Sequence, residues 1–299
     1  MGVSNSLKCL ALGTLMAGVG VSVAGAAESG NTQYAPGSAQ FFAGQMPPYP
    51  GLYFLSQTSY FNADQTNDGN GDALPIDFDV RAIAETMRFL YVSDVEFAGA
   101  KVWGQLVVPL VHLDLTVPFQ SDNSFGLGDV VGAAGLAWHL DQKQTVIFGV
   151  DVAMPTGRYD EDDFPNIGLN HWSFQPTLGY HYFDPQGFEF GTTARMIFNT
   201  ENPDTDYRTG NELVIDYAVG WNFDKIRIGA VGYYLQQLTD DTGPTAPADG
   251  KRGKAFAIGP SLTYSFNPAL QVSASWQHDV FAENRAQGDT VWVNFATKF

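Results

Sequence analysis

Apolar and polar residues alternate along most of the chain, and the alternation predicts strand after strand. At the C-terminal end Val291, Val293 and Phe295 share one face, whereas Asn294 and Lys298 lie mostly on the other. A two-residue period with one apolar face is typical of a half-buried β-strand. No helical period is convincing after the N-terminal stretch, so the pattern predicts an all-β fold.

The alternation delimits about 12 strands, many of them near the 9–11 residues that a tilted membrane strand needs. The predicted strands are 51–62, 76–92, 100–117, 129–140, 145–154, 171–183, 188–199, 212–223, 225–237, 255–266, 270–277 and 290–299. In the second strand the apolar phase changes between Val80 and Ile83, and a change of phase predicts a β-bulge there.

Tight turns alternate with long polar connections. The tight turns are 141–143, 184–187, 224–225 and 267–268, and the long connections are 63–75, 119–128, 156–170, 200–210 and 239–253. Transmembrane barrels have short periplasmic turns and long extracellular loops. In lipid, only a closed sheet leaves no unpaired edge. The rhythm therefore predicts a transmembrane antiparallel up-and-down β-barrel over residues 51–299, in the outer membrane of a bacterium.

The N-terminus predicts export. Lys8 precedes a run of small and apolar residues, and Ala24-Gly25-Ala26 is an A-x-A cleavage site, so residues 1–26 are typical of a secretory signal peptide. The single cysteine, Cys9, would leave with it, which removes disulfides and thiolate metal sites from the mature chain. Residues 27–50 contain several prolines and predict an irregular lead-in, either a plug inside the barrel or a periplasmic segment.

Composition narrows the function. The chain has 15 Lys+Arg against 32 Asp+Glu, a balance that argues against binding nucleic acid. It also has 22 Phe, 13 Tyr, 6 Trp and 32 Gly, which suit a barrel with aromatic girdles. No mature stretch is long and apolar enough for a membrane helix. No cofactor is predicted.

The polar phase of the strands predicts the lining of the lumen. The inward set is Lys101, Gln105, Asp151, Glu189, Arg195, Asn199, Glu212, Asp216, Asn222, Arg227, Gln271, Gln277 and Asn294. Six charged residues are the candidate filter: Lys101, Asp151, Arg195, Glu212, Asp216 and Arg227. Such charges either select solutes by size and charge or form an ion-pair network that packs the barrel shut, and both interpretations stay open.

One stretch raises a catalytic alternative. An outer-membrane lipid hydrolase needs a His, a Ser and an orienting Asn on the barrel exterior, and Asn170, His171 and Ser173 supply those residue types. Interfacial residues beside Trp172 explain the same stretch, and no catalytic residue is predicted. Asp68 to Asp72 begins like a calcium loop but lacks its later ligands, so no metal site is predicted.

Several motifs resemble a known family in their order and spacing. They are Pro48-Tyr49-Pro50-Gly51-Leu52-Tyr53, Gly126-Leu127-Gly128-Asp129, Pro155-Thr156-Gly157-Arg158-Tyr159, Asn166-Ile167-Gly168 with Asn170 and Trp172, Phe198-Asn199-Thr200-Glu201-Asn202 with Tyr207 and Gly210, and Gln236 with Asp240-Asp241. From about Pro48 to Phe299 the chain resembles the outer-membrane family named for the meta-pathway of phenol degradation. The resemblance implies a barrel associated with uptake of hydrophobic or aromatic compounds.

Together these observations predict a barrel for passive uptake of small, hydrophobic or aromatic solutes, and not an enzyme. The alternatives are the lipid hydrolase and a closed structural barrel. The expected partners are outer-membrane lipid and lipopolysaccharide, the solute, and the barrel-assembly machinery, which would recognise the terminal Phe299.

Overall fold

The fold is almost entirely β-structure. The computed structural model describes residues 32–267 and 269–299, so the predicted signal peptide lies outside the described residues. The strands are Gly51–Thr66 (β1), Asp79–Phe97 (β2), Ala100–Val117 (β3), Gln120–Leu127 (β4), Val130–His139 (β5), Gln144–Met154 (β6), Ser173–Phe183 (β7), Phe188–Asn199 (β8), Glu212–Phe223 (β9), Ile226–Gln237 (β10), Lys254–Asn267 (β11), Leu270–Glu283 (β12) and Ala286–Lys298 (β13). A short 3-10 helix, Gln40–Phe42, precedes them.

The sheet closes into a ring of antiparallel neighbours. β1 pairs with β2 on one side and with β13 on the other, and Tyr53 stands opposite Lys298 at the closing seam. β3 pairs with both β4 and β5, which form one wall position interrupted at Gly128 and Asp129. Counting β4 and β5 together gives twelve wall positions, and the predicted closed barrel of about 12 strands is confirmed.

The two faces of the wall are inverted relative to a soluble protein. Leu178, Ile228 and Leu262 point outward and are exposed, whereas Gln175, Glu189 and Glu212 are fully buried inside. Such a wall is stable only if its outer face lies in lipid, because exposed apolar area of this extent would aggregate in water. Within the described residues no helix is long and apolar enough to cross a membrane.

The predicted bulge in the second strand is wrong in position. Val80 to Val92 pairs with Leu115 to Trp103 in unbroken register, and the irregularity lies between Val92 and Glu96. The apolar phase changes because the inner surface is itself apolar near the extracellular end, where Val80 packs with Ala63 and Leu113. Further along β2 the apolar side chains return to the outer face.

One stretch predicted as a connection is a strand, and two predicted strands are longer than expected. β4 occupies most of 119–128, and β12 and β13 continue through the unassigned residues 278–289 to a tight turn at Asn284 and Arg285. β4 was missed because it pairs with the extracellular end of β3, where Asp122 and Asn123 face solvent and no apolar face is required. Backbone pairing carries these hairpins beyond the membrane, and the alternation of polarity weakens there.

On six strands the outward face changes from polar to mainly apolar residues toward the periplasm. Directly opposed residues point to the same face of a sheet. One outward row is polar throughout: His278, Asp289, Asn62, Arg81, Asp114 and Asn123. The next row toward the periplasm consists of Trp276, Val291, Tyr60, Ile83, His112 and Phe125, of which His112 is the polar member. Such rows run obliquely around a barrel of tilted strands, so depth follows from position along each strand, and this change toward aromatic and aliphatic residues is typical of the extracellular interface.

Candidate functional site in the barrel lumen

The segment from Thr32 to the start of β1 passes through the lumen. Thr32 donates a hydrogen bond to Glu212 Oε2 over 2.7 Å, at the extracellular end of β9. The carbonyl of Met46 lies 3.1 Å from His139 Nε2, near the periplasmic end of β5. We call residues 32–50 the lumenal segment. It contacts inward side chains along most of the height of the barrel.

The first cluster surrounds Arg195 in the extracellular half. Arg195 Nη1 donates to Asp151 Oδ2 over 2.5 Å and to Gln175 Oε1 over 2.8 Å. Its guanidinium lies 4.3 Å from the centre of the Tyr34 ring, a cation–π contact. Tyr34 in turn donates its hydroxyl proton to Asp216, whose other oxygen accepts the amide of Gly37 over 2.7 Å. The lumenal segment therefore supplies two groups to this buried charge cluster, the Tyr34 side chain and the Gly37 amide.

A second cluster surrounds Arg227 in the periplasmic half. Arg227 Nη1 donates to Glu189 Oε1 over 2.8 Å, and Glu189 also contacts His181 Nε2 and Asn222 Nδ2. Here the stacking ring is Phe41, again 4.3 Å from the guanidinium carbon. An aromatic ring of the lumenal segment thus stacks on the guanidinium group of each arginine.

Inward-facing glycines leave the space that the Phe41 ring occupies. Gly220 on β9 and Gly229 on β10 are directly paired, and a Cβ on either would lie 2.6–2.7 Å from the tip of the Phe41 ring. The next turn is also constrained, because Gly44 has φ +66 and donates its amide to Thr193 Oγ1. The backbone therefore approaches the wall as closely as only glycine permits.

Amide side chains hold the middle of the segment. Gln40 Oε1 accepts from Ser275 and Asn294, Gln57 donates to the carbonyl of Ser38, and Gln277 donates to the carbonyl of Gly37. All these partners are buried. Each of the three glutamines makes at least one buried hydrogen bond between the segment and the wall, although Gln40 Nε2, Gln57 Oε1 and Gln277 Oε1 have no hydrogen-bond partner among the described residues. These bonds favour one position of the segment.

The six predicted filter residues divide into groups. Asp151, Arg195 and Asp216 meet in the first cluster, and Arg227 lies in the second. Glu212 is buried at the extracellular end with Thr32. Lys101 is apart from all of them, at the start of β3, where its ammonium lies 3.9 Å from the exposed Glu96. The salt bridge of Arg195 is to Asp151 on β6.

Sequence reasoning missed the segment side chains, Tyr34 and Phe41. The signal that could have found them is the pair of glycines at inward positions of consecutive strands, Gly220 and Gly229, where a bulky wall residue was to be expected. Arg88 was also missed, because its strand was read with a shifted phase; it is largely buried and lines the remaining cavity.

The lumen retains a cavity of about 860 Å³ beside the segment. It extends from the periplasmic turns, at Asp224 and Asn267, to Asp151 and Arg195 in the wall. Trp103, Met46, Leu90 and Phe42 give it apolar sides. A cavity of this size with apolar walls and a few polar groups is within the range for small-molecule sites.

Three of the family-like motifs meet where the wall is interrupted. Asp129 Oδ1 accepts the amides of Thr156 and Gly157, and Oδ2 accepts the amide of Leu169 and the side chain of Gln33. The Gly-Leu-Gly-Asp and Pro-Thr-Gly-Arg motifs, and the strand entry after Asn-Ile-Gly, therefore converge on one carboxylate. That carboxylate also holds the first turn of the lumenal segment.

The residues of the hydrolase alternative face inward. His171 and Ser173 are buried, and the Ser173 hydroxyl accepts from Gln175 Nε2 over 2.6 Å. A lipid hydrolase was expected to expose these groups on the barrel exterior. Among the described residues, no group of three or more His, Cys, Asp or Glu is placed to hold a metal ion.

The closed wall, its apolar exterior and its polar interior define the class: the chain is an outer-membrane β-barrel. It belongs to the family described as "Putative MetA-pathway of phenol degradation", whose pattern matches residues 63–295. The family resemblance expected from the sequence is confirmed.

Solved structures share the fold. An outer membrane channel from Pseudomonas putida F1 is similar with a TM-score of 0.76 and 15% identity, over 89% of this chain and 100% of that one. The β domain of the Bordetella autotransporter Brka has a TM-score of 0.51 and 11% identity, over 84% of this chain and 100% of that one. No curated protein matches the chain.

Proposed function

We propose that the barrel mediates passive uptake of small aromatic or hydrophobic solutes, without catalysis, and that the lumenal segment, residues 32–50, acts as its plug. The observation that carries the proposal is the cavity of about 860 Å³ beside the lumenal segment, with apolar sides and arginines at its walls. A ring can pack on Trp103 while an acidic group reaches Arg195 or Arg227. The channel described for the similar barrel of Pseudomonas putida F1 supports the same class of function.

In this proposal the arginines have two kinds of aromatic partner. Tyr34 and Phe41 occupy their faces when the plug is in place, and a solute ring replaces them during passage. Exchange of one cation–π contact for another costs little, because each is worth about 0.5–2 kcal/mol. The plug thereby makes the same cation–π contacts with the arginines that an aromatic solute would make.

The test is flux into liposomes that contain the refolded mature protein. Benzoate is the main probe because phenol crosses bilayers unaided, and phenol is measured beside it. Protein-dependent uptake of benzoate, absent from empty liposomes of the same lipid, is the expected result. A folded barrel that admits neither solute would instead support the closed structural barrel, which the many contacts of the lumenal segment also favour.

We further propose that the barrel-assembly machinery recognises the C-terminal strand through Phe299, and that lipid and lipopolysaccharide surround the wall. Phe299 ends the chain beside the closing seam, its amide donates to the carbonyl of Leu52, and its ring is largely exposed. An exposed aromatic terminus on the last strand suits recognition by another protein before the seam closes.

A further inference from the structure

A carboxyl side chain lies on the outward face inside the apolar band. Glu85 on β2 shares the outward phase of Ile83 and Phe89, and it stands opposite Thr58 on β1 and Leu110 on β3. Above it on the same strand, Arg81 is the outward residue at which the polar surface begins. Four residues separate the two, which at about 3.3 Å per residue and a tilt near 40° places Glu85 about 10 Å below the boundary.

The lower limit of the band follows from the same strand. Tyr91 is the outward aromatic residue near the periplasmic end of β2. From Arg81 to Tyr91 the outward face spans about 25 Å, the height of the apolar band in such barrels. Glu85 therefore lies in the extracellular leaflet, well inside the hydrocarbon. A carboxylate there is costly, and ionisable groups at such depth are by default candidates for function.

Two hydroxyl groups orient the carboxylate. Ser56 Oγ donates to Glu85 Oε1 over 2.6 Å, and Thr58 Oγ1 donates to Oε2 over 2.6 Å. Each oxygen of an ionised carboxylate can accept further hydrogen bonds, and the group donates none. Glu85 is only half-buried, so its remaining acceptor positions are accessible from the lipid.

Small and aromatic side chains flank the carboxyl group on the outward face. The small side chains of Ser56 and Thr58 lie between Tyr60 toward the extracellular end of β1 and Phe54 toward the periplasm. Phe54 is paired with Phe89, and their ring centroids are 5.2 Å apart. The outward face thus offers aromatic groups on both sides of one acceptor in a medium without water.

We propose that Glu85, Ser56 and Thr58 form a lipid-facing binding site for a neutral hydroxylated aromatic molecule dissolved in the extracellular leaflet. The ligand hydroxyl donates to the carboxylate, and its ring packs between Phe54 and Tyr60. Only a lipid-soluble donor reaches this position, where no water competes for the carboxyl oxygens. The choice of an aromatic ligand rests on the proposed function, whereas the site lies outside the lumen.

The test uses fluorine NMR of 4-fluorophenol with the full barrel in lipid nanodiscs. Fluorobenzene, which lacks the hydroxyl, is the matched probe. Glu85→Leu removes the acceptor and suits the lipid face, so it should fold. Asp114→Asn is the control variant, because it changes another outward carboxylate that lies above the membrane boundary. Heat-dependent gel mobility verifies that each barrel is folded.

The wild-type and Asp114→Asn barrels should give a saturable shift of the fluorine resonance of 4-fluorophenol. Glu85→Leu should raise the Kd for 4-fluorophenol at least about tenfold. The binding of fluorobenzene should be the same in the wild type and in Glu85→Leu, because this probe has no hydroxyl to donate. Equal affinity in Glu85→Leu, or no saturable binding to the wild type, overturns the proposal. Cross-linking that places a second copy of the barrel over Glu85 in the bilayer also overturns it, because the site would be covered.

Benzoate flux measured on the same preparations separates this proposal from the proposed function. Glu85→Leu should leave benzoate flux unchanged, since the anion does not dissolve in the hydrocarbon. Flux without 4-fluorophenol binding contradicts only the lipid-facing site, and binding without flux contradicts only the channel.

Discussion

Arg195 is the residue on which most of the buried charge in the extracellular half depends. It contacts Asp151 and Gln175 directly, and its guanidinium lies on the ring of Tyr34, which holds Asp216. Removing one member of a buried ion pair leaves the other charge without compensation, which costs more than the pair itself contributes. The residue therefore matters chiefly because of what its absence would leave behind.

We expect Arg195→Met to lower the free energy of unfolding by about 3–5 kcal/mol. Urea titration followed by heat-dependent gel mobility in lipid vesicles measures it. The double variant Arg195→Met with Asp151→Asn should recover part of the loss, because the uncompensated carboxylate is gone. Lys143→Met removes an exposed ion pair with Asp184 in a periplasmic turn and should change little. Equal effects of the two single variants would contradict the argument.

At the scale of elements, the lumenal segment packs against the wall at positions where the wall residues are glycines. The Phe41 ring occupies space that Gly220 and Gly229 leave open on neighbouring strands. Protein interiors are close-packed, so even a methyl group at such a position forces the ring to move. The glycine positions of the wall strands are thus complementary in shape to a segment that is remote in sequence.

We expect Gly220→Ala to displace Phe41 and loosen the segment, because the atom nearest to the added Cβ is the tip of the Phe41 ring, at 2.6 Å. Single-channel conductance in planar bilayers should increase several-fold, because the ring no longer seals the path beside Arg227. Gly132→Ala is the control, since a Cβ at this glycine of β5 meets nothing within 4 Å. If Gly220→Ala leaves the conductance at the level of the control, Phe41 is not part of the seal.

The elements also show how far a sequence pattern reaches. The bounds of β3, β8 and β9 were predicted to the residue, because lipid outside and polar contacts inside impose a strict period of two. β4 was not predicted, because backbone pairing alone defines a strand above the lipid. Of the candidate site, the wall charges were predicted and their partners were not, since Tyr34 and Phe41 lie in a segment with no period.

At the scale of the whole molecule, passage of a solute requires the segment and the wall to separate. Gln40 is hydrogen-bonded to Ser275 on β12 and Asn294 on β13, whereas Tyr34 contacts residues of β8 and β9, so the segment is held at several positions around the wall. Any route along the lumen must break some of these contacts. The molecule is thus a rigid wall with one element whose displacement decides its permeability.

A reversible cross-link tests this dependence. In Gln40→Cys with Asn294→Cys, a short bis-methanethiosulfonate reagent should tie the segment to β13 through two disulfides and abolish benzoate flux, and a reducing agent should restore it. The native side chains meet at their tips, 3.0 Å apart, so the reagent replaces the length that the cysteines lack; a direct disulfide would need Cβ atoms about 3.5–4.5 Å apart. Each single variant treated with the same reagent is the control. Undiminished flux through the fully cross-linked barrel would show that solutes bypass the segment.

The closing seam has a consequence for the order of assembly. β1 and β13 come from opposite ends of the chain, so their pairing closes the largest loop and is expected to form last. The segment joined to β1 contacts strands from β5 to β13, and once the ring is shut it could reach them only by threading through one mouth. Nascent barrels should therefore wrap around the segment, which then serves as a template on which the later strands are gathered.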